Sequence, residues 1–385
     1  MTDAAGSPPG GSSFRDAPSG SPASASTPTG APPAVLLGLL GARGPSGYET
    51  APAEIWRAAA SSFAEVRSDL LGTPVALVAP RHGHEGRGRR LLVIGHIDEI
   101  GLIVTHIDDD GYLWFREVGG WDPQILVGQR VVLDTRDGPV RGVIGRKPIH
   151  LLREEERKKV AEIRDLHIDI GAREGEEARK LVRVGDVAVI DCDPLELPNG
   201  RLSARALDNR LGSFVALEAA RLVAEAGGSA WELVAVAAVQ EETTFGGSRT
   251  SAFALEPDAA IVVDVTHATD APGVEVKEAG KHELGSGPVI SRGSTLNERL
   301  FELLFDAAEA EGIPHTVEAT GRATGSDADA VHISRGGVPT GLVSIPIRYM
   351  HSPVELVQLD DVRSCAQLIA ALAMRLDADT ALAGR

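Results

Sequence analysis

The chain is poor in cysteine. Cys192 and Cys365 are the only two in 385 residues, too few for a disulfide scaffold or a cysteine-based zinc module. Positive charge is also in deficit. Lys and Arg total 38 against 55 Asp and Glu, a formal net charge of −17. Like charges repel, which argues against a general binder of nucleic acid or anionic membrane. No uninterrupted apolar run approaches the ~20 residues of a membrane-spanning helix. Several catalytic signatures are missing too: there is no GxSxG elbow, Walker A loop, GxGxxG turn, HExxH helix or CxxC pair. A reducing, cytoplasmic location is the expectation.

The remainder is ordinary globular material, 43% apolar and 24% charged, and long enough to bury a sizeable core. Residues 1–33 are nearly all Ala, Gly, Ser, Pro and Thr. They read as a disordered tail, because they cannot bury enough apolar surface to offset the entropy of ordering. The tail also lacks the basic start and apolar stretch of a secretory signal. Beyond it, short apolar runs at Leu91–Ile94, Leu233–Ala237 and Ile261–Val263 fit strands buried on both faces. Helices are predicted at Leu211–Ala226, Asn297–Ala310 and Asp360–Leu376. In the second, Leu300, Leu303, Leu304 and Ala307 share a face, Ser294 or Thr295 can cap the start, and Gly312 ends it. Residues 101–190 differ in texture, with Asp108-Asp109-Asp110-Gly111 and Asp137-Gly138 among Val/Ile pairs, which suggests hairpins. The expected organisation is an α/β domain over 34–100 and 191–385, interrupted by a β-rich insert at 101–190.

Chemistry then rests on histidine and carboxylate. Three His-Ile-Asp triplets occur, at 96–98, 106–108 and 167–169. A spacing of two on a strand puts both side chains on one face, so that Asp can orient an imidazole toward a metal. Only His96-Ile97-Asp98 follows a fully apolar run, at the C-terminal end of a strand, where ligand sites of open α/β sheets lie. The second triplet reads as a solvated turn and the third as structural. Glu241 and Glu242 close the strand ELVAVAAVQ; adjacent carboxylates diverge, so one can ligate a metal while the other acts as general base, or both can simply open a loop. Asp264 ends AAIVVD, where a carboxylate is paired, metal-bound or a cap. Asp208 precedes a helix and can cap it, and His351 follows the strand LVSIPI. Four strand ends thus deliver two histidines and three or four carboxylates. That nitrogen and oxygen set suits zinc, cobalt or manganese, with one carboxylate bridging two ions about 3.5–4 Å apart. A dinuclear hydrolase is the natural reading. His82 and His84 sit in a polar Gly-rich loop, and His150, His315 and His332 lack a carboxylate at ligand spacing. His267 and His282, near the motif strands, stay open as pocket contributors.

Taken together, GHIDEIG at 95–101, GVIGRKPIH at 142–150, HIDIGA at 167–172, ALDNR at 206–210, QEE at 240–242, VDVTHATD at 263–270 and RYMHSPVE at 348–355 resemble the M42 family of dinuclear metallo-aminopeptidases, the tetrahedral and glutamyl aminopeptidases. Gly44-Pro45-Ser46-Gly47-Tyr48-Glu49 matches the family's opening segment, and the similarity runs from about Leu36 to Leu376. The resemblance implies an α/β fold with a central mixed sheet flanked by helices and a β-barrel-like insert that builds dimers, which assemble into a hollow dodecamer. It implies two divalent metal ions per subunit, zinc or cobalt with manganese also compatible. Asp208 would bridge both ions, His96 and Asp264 would complete one, and Glu242 and His351 the other. Glu241 would be the general base toward a metal-bridging water, with Asp98 as the partner of His96. The implied activity is removal of N-terminal residues from peptides. Two departures stand out: Thr243-Thr244-Phe245-Gly246-Gly247 replaces the family's Val-Gly-Leu-Arg-Gly, and Ser326-Asp327-Ala328 replaces Thr-Asp-Ala. A deacylase or dipeptidase of the same fold is the main alternative. A glycosidase using Glu241 and Glu242 as an acid/base pair would leave His96, Asp264 and His351 without a purpose.

Overall fold

The computed structural model describes residues 30–82 and 88–382. The expected tail up to residue 29, and His84, lie outside the described residues. Helices Ala34–Gly41 and Thr50–Ala60 lead into strands β1 (Glu65–Ser68), β2 (Pro74–Val78) and β3 (Arg90–His96). Six strands follow: β4 (Gly101–Ile107), β5 (Leu113–Val118), β6 (Arg130–Thr135), β7 (Gly138–Arg146), β8 (Leu166–Asp169) and β9 (Val187–Ile190). They close into a barrel in the order β4-β5-β8-β7-β6-β9. Leu102, Leu113, Phe115, Leu133 and Ile168 fill its interior. The hairpin chemistry at Asp108 and Asp137 supplies the antiparallel turns, and closure leaves no free edge.

The chain then returns to the first sheet through β10 (Leu195–Leu197), β11 (Arg201–Ala204), β12 (Glu232–Ala238), β13 (Ala259–His267), β14 (Val289–Gly293), β15 (Thr316–Thr320), β16 (Thr340–Arg348) and β17 (Glu355–Gln358). The order is β1-β2-β12-β3-β13-β16-β17-β11-β10, with β14 and β15 branching from β16. The four central strands β12, β3, β13 and β16 run parallel to one another. They are Val, Leu, Ile and Ala runs buried on both faces, the pattern expected of a parallel core covered by helices. Because they are parallel, their C-terminal ends all open on one edge. No helix among the described residues is long and apolar enough to cross a membrane.

Two details of this core bear on the site. Helix Leu207–Glu225 lies so close to β3 that a Cβ on Gly95 would sit 2.3 Å from the Gly212 carbonyl carbon; only glycine permits the approach that brings the start of this helix beside His96. Helix Glu298–Glu311 is capped by Asn297, whose side chain accepts the Leu300 N–H at 2.9 Å, and not by Ser294 or Thr295. Its C-terminus ends at Gly312 in the left-handed conformation, as its sequence indicated.

Under the site lies a buried ion network. Glu99 accepts the Gly44 N–H at 3.0 Å and pairs with Arg205 and Arg210. Arg210 has no exposed surface and also donates to the carbonyls of Leu39, Ala42 and Ile97. Burial works against the Glu99 carboxylate, but the two guanidiniums hold its pKa below the usual range. Such a network is costly to break rather than strongly stabilising overall, since losing one partner strands a buried charge.

Candidate metal centre

The open edge of the parallel strands gathers the site. His96 is the last residue of β3 and is 2% exposed. Its Nε2 lies 3.2 Å from Asp208 Oδ1 and 3.6 Å from Glu241 Oε2. His351 Nε2 lies 3.4 Å from Asp208 Oδ2 and 3.5 Å from Glu242 Oε1. The two oxygens of Asp208 therefore face two different imidazoles. A helix cap would instead turn its carboxylate onto backbone N–H groups. That task falls to Asn209, joined to Asp208 by a cis peptide bond, whose Oδ1 accepts the Gly212 N–H at 2.9 Å. Donor atoms within 4.8 Å of one another form two groups, His96 with Glu241 and Asp264, and His96 with Asp208 and Glu242.

Local geometry differs from the sequence reading in three places. Glu241 and Glu242 are not on a strand: β12 ends at Ala238, Gln240 takes a left-handed turn (φ 60°), and Glu241–Thr244 is one helical turn. Adjacent residues still diverge, by about 100° on a helix. Asp264 does not end its strand, because β13 continues to His267 paired with β16. On its other side β3 pairs only as far as Val262, and the early stop of β3 opens the space that Asp264 faces. Asp98 lies past the end of β3, so it is placed by a loop and not by strand alternation. Its Oδ1 sits 3.4 Å from His96 Nδ1, long for a hydrogen bond. Its firmer contacts are with the Glu241 and Glu242 N–H groups, accepted by Oδ1 and Oδ2 at 3.1 Å each. Asp98 thus fixes the turn that presents both glutamates.

Several supporting residues escaped the sequence reading. His351 Nδ1 donates to the Gly120 carbonyl at 2.9 Å, which leaves Nε2 with the free lone pair. Gly120 belongs to the loop after β5, so the barrel segment orients a histidine of the large sheet. Glu355 accepts the His351 N–H at 2.9 Å and the Asp208 N–H at 3.1 Å, tying the two together; its place in RYMHSPVE was the available signal. Glu49, in the opening segment, accepts the Gln240 N–H at 2.9 Å, and Ser46 Oγ meets Thr243 Oγ1 at 2.9 Å. Left-handed backbone at the non-glycine residues Ala206, Gln240, Tyr349 and His351 flanks these ligand loops. Such conformations cost about 1–3 kcal/mol each and persist where surrounding structure imposes them.

Electrostatics set the character of the site. Burial opposes charge on His96, but Glu241, Asp208 and Asp98 raise its pKa well above the ordinary value. Burial likewise opposes ionisation of Asp208, yet hydrogen bonds to His351 and His96 hold its carboxyl below the usual range. The other carboxyls go the opposite way. Glu241 is pushed up to about 10 by burial, which His96 only partly counters, and by the fields of Asp264, Asp327 and Glu242. Glu242 rises to about 8 through burial and Asp208, and Asp264 rises well above its usual value for the same two reasons. Carboxyls crowded in this way must share protons or share cations. The adjoining cavity, about 490 Å³, has no Lys or Arg among the described residues of its wall. The donor set of imidazole nitrogen and carboxylate oxygen therefore fits divalent cations, with Asp208 placed to serve two.

The remaining histidines stand apart. Asp108 accepts the Tyr112 N–H and the Trp114 Nε1–H, making His106-Ile107-Asp108 a turn. His167 packs against Tyr112 and Trp114 in the barrel. His332 and His315 bond nearby carbonyls, and His82 is exposed. His267 is exposed and His282 is buried against Thr316, so neither lines the cavity.

Comparisons with known proteins agree with this arrangement. Residues 76–368 match the M42 glutamyl aminopeptidase family. The chain is 36% identical over 312 residues to the lysyl aminopeptidase of Pyrococcus furiosus, covering 80% of this chain and 86% of that protein. Among solved structures, a TET aminopeptidase from a marine sediment archaeon of the Thaumarchaeota superposes with a TM-score of 0.84 at 36% identity, covering 90% of this chain and 97% of the other. The TET1 peptidase of Pyrococcus horikoshii, which can assemble into a tetrahedron or a large octahedral shell, gives 0.77 at 33% identity, covering 89% and 99%. With its parallel strand ends, its paired donor groups and these likenesses, the chain belongs to the M42 family of glutamyl aminopeptidases, hydrolases that act on peptides.

Proposed function

We propose that the protein is a dinuclear metal-dependent aminopeptidase that removes the N-terminal residue of peptides. The observation that carries this reading is Asp208, with one oxygen turned to His96 and the other to His351. Asp208 would bridge two divalent cations, zinc or cobalt with manganese also compatible. His96 and Asp264 would complete one site, and Glu242 and His351 the other. When bound, such ions polarise the scissile carbonyl, acidify the attacking water and offer the free α-amino group of the substrate a ligand position. Glu241 takes the proton from that water and returns it to the leaving amine as the C–N bond breaks. Asp98 and Gly120 hold the glutamate turn and His351 in register.

The test uses protein stripped with chelator and resupplied with Zn²⁺, Co²⁺ or Mn²⁺, assayed on free and N-acetylated peptides with a β-glucan control. Metal-dependent release of N-terminal residues from free peptides alone is the expected result. Cleavage of acetylated peptides would favour the deacylase reading, and release of sugar from glucan would overturn the peptidase reading.

We also propose that the barrel segment 101–190 mediates self-association into dimers that build a dodecamer. This segment exposes several apolar residues, among them Val143, Ile149, Leu151, Val160 and Val184. The P. horikoshii relative forms shells. Sedimentation of the 40.4 kDa chain should show a species of twelve subunits that falls to dimers or monomers when Val143 and Val184 are changed to Glu. A wild-type monomer at micromolar concentration would reject this assembly.

A further inference from the structure

We propose that the cavity selects peptides whose N-terminal residue is basic, lysine or arginine, and that Glu318 reads this charge. The inference rests on the metal-site reading above, because it assumes that the acidic cluster at the cavity's end is occupied by cations. Among the described residues, Glu318 is then the one charged wall residue with no place in that cluster.

Register brings it there. Asp264 pairs with Ser344, while Ser291 pairs with both Leu342 and Glu318. By two-residue alternation these residues and Thr266 share one face of the sheet. The Glu318 carboxylate lies 3.4 Å from Thr266 Oγ1 and 3.4 Å from Ser291 Oγ, long contacts to hydroxyls. No Lys or Arg among the described residues pairs with it. His282 feels its charge, but burial holds that imidazole below its ordinary pKa and therefore neutral near pH 7.

Distance and lining agree with the choice of ligand. Asp264 and Thr266 are two residues apart on β13, about 6.6 Å along the strand, a length the four-carbon stem of lysine can span. Leu342, Met350 and Phe245 in the wall offer apolar surface to its methylenes. A substrate beginning with Glu would bring a second carboxylate to Glu318 with no cationic side chain in the wall to receive it. The family's glutamyl designation therefore does not extend to the side chain this cavity prefers.

The experiment measures kcat/KM of the metal-loaded full chain on Lys, Arg, Leu and Glu p-nitroanilides, for wild type and Glu318→Gln. Wild type should cleave the Lys and Arg substrates best and the Glu substrate worst. Glu318→Gln should lower the Lys-to-Leu ratio roughly 10–100-fold, the range of a charge-assisted hydrogen bond. The loss should sit in KM, since the contact is remote from the reacting bond; a merely structural role would move kcat for every substrate together. Glu318→Asp should recover part of the ratio. A wild type that favours Glu, or a variant with an unchanged Lys-to-Leu ratio, overturns the inference while leaving the metal-site reading intact. If the metal-loaded wild type cleaves none of the four, the aminopeptidase reading falls and the inference with it.

Discussion

Glu241→Gln should lower kcat by roughly 10²–10⁴-fold, the usual contribution of a positioned general base, while both metal ions remain bound. The variant keeps the size of the side chain and the two N–H bonds to Asp98, which belong to the backbone of residues 241 and 242. What it removes is the ability to accept a proton. Without cations, burial and the neighbouring carboxyls favour the protonated form of Glu241; two bound cations would favour the carboxylate that accepts the proton. Kinetics paired with metal analysis check the prediction. A Gln variant with near-normal kcat at full metal content would show that another group is the base.

Asp208→Asn should be still more damaging, because it affects both ion sites at once. The carboxylate faces His96 Nε2 with one oxygen and His351 Nε2 with the other. An amide offers an oxygen on one side and an NH₂ group on the other, which cannot ligate a cation and presents a donor where a lone pair is needed. Metal content should fall below two ions per chain, and kcat/KM should drop by more than roughly 100-fold, since even changes one shell further out cost metal sites 10–100-fold. The measurement is elemental analysis after dialysis, alongside activity with added Co²⁺. Two tightly held ions in the Asn variant would show that Asp208 does not bridge them. The main chain at this point is secured separately by Glu355 and Asn209, so loss of metal need not mean loss of fold.

Much of this site was legible in the amino-acid order, for a definite reason. Fully apolar runs such as LLVI and AAIVV announce strands buried on both faces, and the first polar residue after such a run stands at the edge of a sheet. His96 was found that way, and the Gln-Glu-Glu turn nearly so. Less legible was anything that depends on where a strand's neighbours stop. Asp264 looked like a strand end because hydrophobicity ended there, yet β13 runs on to His267; it is β3 that ends early. The helix cap at Asn297 shows the same limit on a smaller scale, as several capping residues stood within three positions and local pattern does not rank them.

Composition and periodicity therefore decide local matters: which segments are buried, which form strands or helices, and which residue types are available to bind a cation. They do so because burial and backbone preference act over a few residues. The choice among those residues belongs to the tertiary structure. His96 and His351 are 255 positions apart, yet they meet opposite faces of one aspartate because four parallel strands open on the same edge. Gly120 and Glu318 have no local pattern that marks them, and each gains its role only from what the folded chain places beside it. A carboxylate's chemistry is set by the charges and the solvent around it, and those come from residues that are distant in the chain and adjacent only once it has folded.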